Sequence, residues 1–250
     1  MPRHRFYAPP DEHDGRAVIL SADETHHLVK VLRLGPGDEI NVFDGHGREY
    51  ACRVQTATGS SARLEIIEEV PGRVESSLRL TLAQALAKGE KFDLIVQKAT
   101  ELGITRVVPL VTDHADVKLK ADRREGRLDR WRRISLEALK QCGRRRLVEI
   151  TNPMSVAELV NSEHASSECT VLHFSEKGGA AVEDALKDAT SGSAVTAVIG
   201  PEGGWSDAEL ELLSGHGAKA VTLGPRTLRT ETAAIVAVAL IQHALGDLSV

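Results

Sequence analysis

The sequence has few aromatic residues and no long apolar run. Phe, Trp and Tyr make up only 3% of its 250 residues, whereas hydrophobic residues as a whole make up 42%. An aliphatic core of this kind suits an α/β protein with buried parallel strands. No apolar run approaches the roughly 20 residues that span a bilayer, and the polar segment 1–13 does not resemble a signal peptide. We therefore expect a globular, cytoplasmic protein that is not embedded in a membrane.

Several motifs for metals and phosphates are also missing. Cys52, Cys142 and Cys169 are odd in number, far apart in the chain and without a CxxC pair. They indicate neither a disulfide framework nor a zinc site. The ten histidines include no HExxH, so we expect no metal. The phosphate-binding motif GxxxxGK[ST] and the dinucleotide fingerprint GxGxxG are absent as well.

Negative charge predominates overall, but one segment is strongly basic. The formal net charge is -5, yet residues 118–146 contain twelve Lys or Arg against four Asp or Glu. Such a stripe on an acidic protein is typical of a phosphate-binding face. When the run is taken alone, a solvated helix surface is the better explanation of it.

Residues 1–72 are predicted to form a small β-barrel domain. Ser21 stands three residues before Glu24, a capping-box spacing that predicts a short helix, and Gly35-Pro36-Gly37 would stop it. Alternating apolar residues at 40–55 and 62–70 then predict strands joined by tight turns. The polar segment 71–77 separates this part from the rest of the chain.

Residues 73–250 are predicted to form a second, α/β domain. Strand patterns alternate here with helix patterns. The predicted strands lie at 78–86, 106–112, 147–150, 170–174, 194–200 and 220–224. The predicted helices lie at 90–103 and 123–142, and two more begin at Ser206 and Thr230. This alternation predicts a mostly parallel sheet covered on both faces.

Two predicted strands end in Gly-Pro, and we call the loops that follow them exits. The first exit is "IGPEGGWSD" at 199–207, and the second exit is "LGPRTLRTETAA" at 223–234. In an open α/β sheet, the ligand crevice lies beyond the carboxyl ends of the strands. Glycines there let a ligand lie against the main chain. Ordinary strand-to-helix turns, with Ser206 as an N-cap, are the alternative. Two such exits on neighbouring strands favour a binding site.

The residues of the first exit limit the kind of ligand. Glu202 lies among its glycines, and a carboxylate there would repel a pyrophosphate. A ligand that has an adenine and a positive centre but no phosphate is easier to accommodate. S-adenosylmethionine has both features.

These motifs carry a family resemblance along nearly the whole chain. "IGPEGGWSDAELELL" with "LGPRTLRTETAAIVAVALIQH" resembles the paired signature of the RsmE-type 16S ribosomal RNA uridine-N3 methyltransferases, members of the SPOUT superfamily. "HHLVKVLRLGPGDEI", "KGEKFDLIVQKATELGITRVVPL" and "EALKQCGRRRLVEI" agree with it. Trp205 stands where the family usually has another aromatic residue, often Phe.

The resemblance implies a PUA-like β-barrel for RNA, followed by a SPOUT domain whose C-terminal chain forms a trefoil knot. It also implies that the knot binds S-adenosylmethionine, that the protein is a homodimer, and that the substrate is the decoding-region uridine of 16S ribosomal RNA within the small subunit. The apolar segment 233–241 suits a helix buried all round, as at a dimer interface.

Candidate site residues follow from the two exits. The predicted cofactor-binding residues are Ile199, Gly200, Pro201, Glu202, Gly203, Gly204, Leu223, Gly224, Leu228, Arg229 and Thr230. Methylation at N3 of uracil requires loss of a proton, and therefore a base or a cation that stabilises the anion. Arg229 is the candidate cation, although it could instead tie two loops together. Glu231 is the candidate base, although an acidic residue in a first helical turn is often only a dipole partner.

Candidate RNA-binding residues are arginines that could contact phosphates. They are Arg3, Arg5, Arg33, Arg123, Arg124, Arg127, Arg144, Arg145 and Arg146. Two other functions remain open from the sequence. One is a non-enzymatic RNA-binding factor with a vestigial cofactor pocket, and the other is a dinucleotide-dependent oxidoreductase with a variant glycine loop.

Overall fold

The computed structural model describes residues 4–72, 75–115, 123–166, 168–190 and 192–248. The chain forms two compact units. The first contains Met1–Val74 and Leu139–Leu147, and the second contains Glu75–Ala138 and Val148–Val250. Each unit has its own apolar core. Within the described ranges, no helix has the length and apolarity needed to cross a membrane.

The first unit is built on a curled five-stranded sheet. Its strands are β1 (Arg5–Tyr7), β2 (Ala17–Leu20), β3 (Glu39–Phe43), β4 (Glu49–Thr58) and β5 (Ser61–Glu69). They are ordered β1-β3-β4-β5-β2, and all pairs are antiparallel except β1 with β3. The predicted strands and the turn at Gly59 are confirmed. Among the described residues β1 and β2 do not pair, so the sheet is open at this point rather than a closed barrel.

A short helix follows β2. Helix α1 (Ala22–His26) is capped by Ser21, whose hydroxyl accepts from the backbone N–H of Glu24 at 3.3 Å. A wider, π-type turn continues it over His27–Val31. It ends before the predicted Gly-Pro-Gly stop because Arg33 has a left-handed φ of 56° and the N–H of Leu34 donates to the carbonyl of Leu28.

A buried ionic network stabilises the first unit. Glu49 accepts hydrogen bonds from Arg5 at 3.0 Å and from the amide of Asn41 at 2.9 Å, and it pairs with Arg145 at 2.7 Å. Burial alone would raise the pKa of Glu49, but Arg5, Asn41 and Arg145 outweigh it and hold the pKa below its ordinary value. The carboxylate is therefore charged, paired and 3% exposed.

The same network secures the segment Leu139–Leu147. Arg5 donates to the backbone carbonyls of Leu139, Lys140 and Arg144, and Arg145 donates to those of Val70 and Pro71. This segment contains the last turn of the basic helix and the residues after it, and it belongs to the first unit because its backbone and charges are satisfied there.

The second unit contains a parallel sheet, as the sequence predicts. Its strands are β6 (Arg79–Ala85), β7 (Arg106–Val111), β8 (Glu149–Ile150), β9 (Met154–Ser155), β10 (Cys169–Phe174), β11 (Ala194–Ile199) and β12 (Lys219–Val221). The strand order is β12-β10-β11-β6-β7-β8, and β9 also pairs with β7. Every recorded pair in this sheet is parallel.

Helices cover both faces of this sheet. They are α2 (Lys91–Glu101), α3 (Arg124–Cys142), α4 (Val156–Val160), α5 (Val182–Leu186), α6 (Asp207–Gly215) and α7 (Thr230–Leu245). One core contains α2, α5 and α7, and the other contains α4 and α6. The sequence missed α4 and α5 because five residues are too few to show helical periodicity.

Helix α2 shows why the longer elements were predictable. Its residues Phe92, Ile95, Val96 and Ala99 are buried on one face at helical spacing. Gly103 follows with a φ of 89°, a left-handed conformation that ends the helix at low steric cost.

Candidate functional site

Both Gly-Pro exits open onto one cavity of about 880 Å³ in the second unit. The cavity lies beyond the carboxyl ends of β10, β11 and β12. All eleven predicted cofactor-binding residues lie on its wall: Ile199, Gly200, Pro201, Glu202, Gly203, Gly204, Leu223, Gly224, Leu228, Arg229 and Thr230. The structure brings them together, and their binding of a cofactor stays a prediction.

The expectation that the exits follow neighbouring strands is wrong. Strand β10 lies between β11 and β12, and its C-terminal residue Phe174 also lies on the cavity wall. Since parallel strands present their carboxyl ends at the same edge of a sheet, the exits still meet across β10.

Trp205 explains why residue 200 is a glycine. A Cβ on Gly200 would come within 2.9 Å of the Trp205 indole. The indole Nε1–H donates to the carbonyl of Phe174 at 3.2 Å, which fixes the ring over the loop. We expected space at Gly200 for a ligand, but the indole occupies it.

Helix α6 begins directly after the first exit. Ser206 and Glu209 form a capping box, in which each side chain bonds the backbone N–H of the other. Ser206 also donates to Asp113 at 2.7 Å, and the backbone N–H of Asp113 donates to Glu209 at 3.0 Å. The N-cap predicted as an alternative explanation is therefore present beside the cavity.

Two residues that are remote in sequence contact the first exit. Lys91 forms an ion pair with Glu202, and His114 Nδ1 lies 3.2 Å from the carbonyl oxygen of Gly204. Both line the cavity. The positive charge of Lys91 offsets the negative charge of Glu202. Sequence reasoning missed Lys91 and His114 as site residues because only the sheet order brings them to this edge.

The second exit presents open backbone to the cavity. Gly224 has a φ of 100°, and no described heavy atom lies within 4 Å of the position of an added Cβ. The hydroxyl of Thr222 lies 3.3 Å from both the N and the O of Gly224 and stabilises this turn. Glycine at 224 is therefore required by its backbone conformation.

A hydrogen-bond chain connects the two exits. The hydroxyl of Thr230, the first residue of α7, donates to the carbonyl of Gly200 at 2.9 Å. The same hydroxyl accepts from Nε2 of Gln84 at 3.0 Å. Gln84 was not a candidate in the sequence, because a lone Gln in an apolar strand carries no signal.

The two catalytic candidates differ in position. Arg229 is exposed and lies on the cavity wall, directly before α7. Glu231 is not among the residues that line the cavity, and its Oε2 is buried without a hydrogen-bond partner among the described residues. A general base must reach the proton that it removes. The arrangement favours Arg229 and does not support Glu231 as a base.

The candidate RNA-binding arginines differ in exposure and in their bonding. Arg3 lies outside the described residues. Arg33, Arg123, Arg124 and Arg146 are exposed, and Arg127 and Arg144 are half-buried. The phosphate contacts predicted for Arg5 and Arg145 are unsupported, because Arg145 is buried, Arg5 is half-buried, and both guanidinium groups are bonded to Glu49 and to backbone carbonyls.

Metal binding has no support among the described residues, where no three His, Cys, Asp or Glu side chains are grouped closely enough to hold an ion.

Comparison with known proteins identifies the class. A family profile described as an RNA methyltransferase domain matches residues 74–242, and one described as an RNA methyltransferase PUA domain matches residues 20–67. The chain is 31% identical over 227 residues to ribosomal RNA small subunit methyltransferase E of Bacillus subtilis, covering 90% of this chain and 89% of that protein.

Two solved structures are similar over 99% of this chain and all of theirs. One is ribosomal RNA small subunit methyltransferase E of Neisseria gonorrhoeae bound to S-adenosylmethionine, with 33% identity and a TM-score of 0.89. The other is a methyltransferase of Legionella pneumophila in complex with the same molecule, with 32% identity and a TM-score of 0.90.

The fold and these matches define an RNA methyltransferase domain combined with a PUA domain. Within that class, the chain belongs to the family of ribosomal RNA small subunit methyltransferase E, the RsmE family that its motifs resemble. The predicted fold class, a SPOUT-type α/β domain with a PUA-like domain, is confirmed. The trefoil knot stays a prediction.

Proposed function

We propose that this protein transfers a methyl group from S-adenosylmethionine to N3 of a uridine in 16S ribosomal RNA, in the decoding region of the small subunit. The observation that carries the proposal is the single cavity on which all eleven predicted cofactor-binding residues lie. Membership of the family, and the S-adenosylmethionine bound by the Neisseria gonorrhoeae relative, support the same donor. A cytoplasmic location fits a ribosomal substrate.

The wall of the cavity fits this donor. Ile199, Leu223 and Leu228 offer apolar surface for an adenine, and the left-handed turn at Gly224 leaves its backbone accessible. Glu202 could accept from a ribose hydroxyl while it remains paired with Lys91. The cavity contains no phosphate-binding glycine motif, in keeping with a donor that lacks phosphate.

Residues of the chain supply orientation and charge. S-adenosylmethionine, when bound, carries a reactive methyl group on a positively charged sulfur. The chain must hold the acceptor base in line with that group and exclude water, since ideal orientation can supply about 7 to 11 kcal/mol. Arg229 provides a cation at the cavity wall that would stabilise the uracil anion formed when N3 loses its proton.

Exposed and half-buried arginines would position the RNA. Arg33 in the first unit and Arg123, Arg124, Arg127, Arg144 and Arg146 remain candidates for phosphate contacts. Phosphate contacts fix the register of an RNA but do not read its sequence. The target base must therefore be unstacked into the cavity before it can be methylated.

We also propose that the protein acts as a homodimer, with the C-terminal chain knotted around the donor site. The middle of helix α7, residues 233–241, is entirely apolar, yet Ile235, Val236 and Leu240 remain only half-buried in the single chain. Such residues on one side of a helix suit burial against a second copy.

Light scattering at micromolar concentration should report a dimer. Val236→Arg should shift the mass toward that of a monomer, because it places a charge in the apolar interface. A monomeric wild-type protein would contradict the proposed assembly. A Val236→Arg protein that is folded and still dimeric would exclude this side of α7 as the interface.

Replacement of Gly224 by Val should weaken binding of S-adenosylmethionine by about tenfold or more, because the side chain would enter the space assigned to the donor. Gly217→Val is a matched control. Gly217 has a similar left-handed φ of 79° and open surroundings, but it lies in the turn after α6, away from the cavity. It should cost comparable stability and leave donor affinity unchanged.

Calorimetric titration with S-adenosylmethionine and with NADH tests the rival functions in the same experiment. Binding of the donor alone supports the methyltransferase. Binding of neither would favour an RNA-binding factor with a vestigial pocket, and binding of NADH would favour an oxidoreductase. Equal donor affinity in folded Gly224→Val and wild-type protein would contradict the assignment of the pocket.

A further inference from the structure

Gln84 is a fully buried polar residue at the C-terminal end of β6, beside the cavity but not on its wall. Its amide Nε2 donates to the hydroxyl of Thr230 at 3.0 Å and to the backbone carbonyl of Ala85 at 2.9 Å. Its Oε1 is buried without a hydrogen-bond partner among the described residues, so the two bonds from Nε2 are the ones that compensate for the desolvation of this amide. The bond to Thr230 connects this amide to the cavity wall.

The orientation of each group in this chain is determined by its neighbours. Thr230 has one hydroxyl proton, and the carbonyl of Gly200 can only accept it. The Thr230 oxygen must therefore accept from Gln84, which requires Nε2 rather than Oε1 at that position. The carbonyl of Ala85 requires the same assignment. The direction of donation thus runs from Gln84 through Thr230 to Gly200.

This chain of bonds ends on the elements that form the two sides of the cavity. Gly200 begins the first exit, and Thr230 begins α7 directly after Arg229. Strand β6 pairs with β11 up to the residue pair Ile199 and Gln84, so Gln84 stands level with the point where the first exit leaves the sheet. A fixed group in the sheet therefore defines where both loops lie.

We propose that Gln84 is a positioning residue for the donor site, which acts through Thr230 to fix the Gly200 carbonyl and the start of α7. The inference rests on the proposed function, because it takes the donor to bind between the two exits. Gln84 makes no contact with the donor. Its effect is to hold the loops in their bound arrangement before the donor arrives. The entropic cost of ordering the loops is then not subtracted from the affinity for the donor.

The test compares Gln84→Met, which keeps the side chain's length but removes both N–H donors, with Thr230→Val, which removes the hydroxyl. Each should weaken S-adenosylmethionine binding by about tenfold or more, since each leaves a buried polar group without its partner. The double variant should lose little more than the worse single variant, because both changes break one chain of bonds. Thr230→Ser should recover most of the affinity that Thr230→Val loses.

Ser135→Ala is the matched control. Ser135 and Thr100 form another buried hydrogen bond of 3.0 Å in the second unit, between α3 and α2, and neither residue lines the cavity. Its loss should lower the unfolding midpoint comparably without changing donor affinity. A role of Gln84 in stability alone would make Gln84→Met behave in the same way.

Hydrogen exchange in the absence of donor gives a readout that does not depend on the proposed function. Gln84→Met should speed exchange of the backbone amides of Gly200, Glu202, Gly203 and Gly204 more than Ser135→Ala does. Donor affinity within twofold of wild type in folded Gln84→Met, or fully additive effects in the double variant, would overturn the proposal while the proposed function stands. If Gln84→Met does not fold, equal donor affinity of Thr230→Val and Thr230→Ser would overturn it.

If wild-type protein binds no donor, the proposed function fails. Exchange at 200–204 then decides whether Gln84 fixes the first exit, and unchanged exchange in Gln84→Met overturns that role as well.

Discussion

Replacement of Arg229 by Ala is expected to lower single-turnover methylation by roughly 10² to 10³, with donor and RNA affinity nearly intact. The physical reason is that a preorganised charge acts mainly on the anion that develops in the transition state, where it is worth about 3 to 4 kcal/mol. Interactions that strengthen only there lower the rate without weakening binding. The substrate should be native small-subunit RNA or the assembled particle, since a free nucleoside offers no phosphates for positioning.

Arg226→Ala is the comparison that isolates position from charge. Arg226 is exposed on the same loop and also lines the cavity, three residues before Arg229. It should lower the rate much less, because a general loss of positive charge acts mainly on RNA affinity. Loss of folding or of donor binding in Arg229→Ala would mark Arg229 as a structural or cofactor-binding residue and contradict its assignment as the catalytic cation.

Glu49→Gln is expected to destabilise the first unit by about 3 to 5 kcal/mol. The change removes one member of a buried ionic network and leaves the guanidinium groups of Arg5 and Arg145 without their counter-charge. The loss should appear as a lower midpoint for unfolding of the first unit in denaturant. Glu69→Gln is the control: its partner Arg48 and Glu69 itself are exposed, so the midpoint should hardly move.

The pH dependence gives this prediction a second readout. The pKa of Glu49 is lower in the folded protein than in the unfolded chain. Its contribution to stability is therefore complete above the unfolded pKa of about 4.3 and is lost as the pH falls through the folded pKa. The difference between wild type and Glu49→Gln should narrow in acid. A difference that is small at neutral pH would show that the network does not stabilise the unit.

Local patterns made much of the fold and part of the site predictable. The buried face of α2, the glycine that ends it and the serine that begins α6 each depend on neighbours within one or two helical turns, so the sequence displays them directly. Both exits were visible for the same reason, because Gly-Pro at the end of an apolar strand is a local signal.

The remaining features depend on contacts that the order of residues does not display. Lys91 and His114 reach the first exit only because β6 and β7 follow β11 in the sheet. Gln84 bonds Thr230, although 146 positions separate the two residues in the chain. Arg5 and Arg145 looked like parts of a basic surface, and the carboxylate that neutralises them could not be identified from charge counts. Short elements such as α5 offer too few residues for a periodic pattern.

The interleaving of the first unit constrains the order in which the protein can fold during synthesis. When residue 74 leaves the ribosome, the five strands are present, but Glu49 still lacks the guanidinium of Arg145, and the carbonyls that Arg5 bonds do not yet exist. The ionic network of the first unit cannot be completed until residue 147 has been synthesised. By that point β6, β7 and α2 of the second unit have already been made. The N-terminal part is therefore synthesised first but completed later, and a gene fragment that ends after β5 encodes a unit with its central carboxylate only partly neutralised.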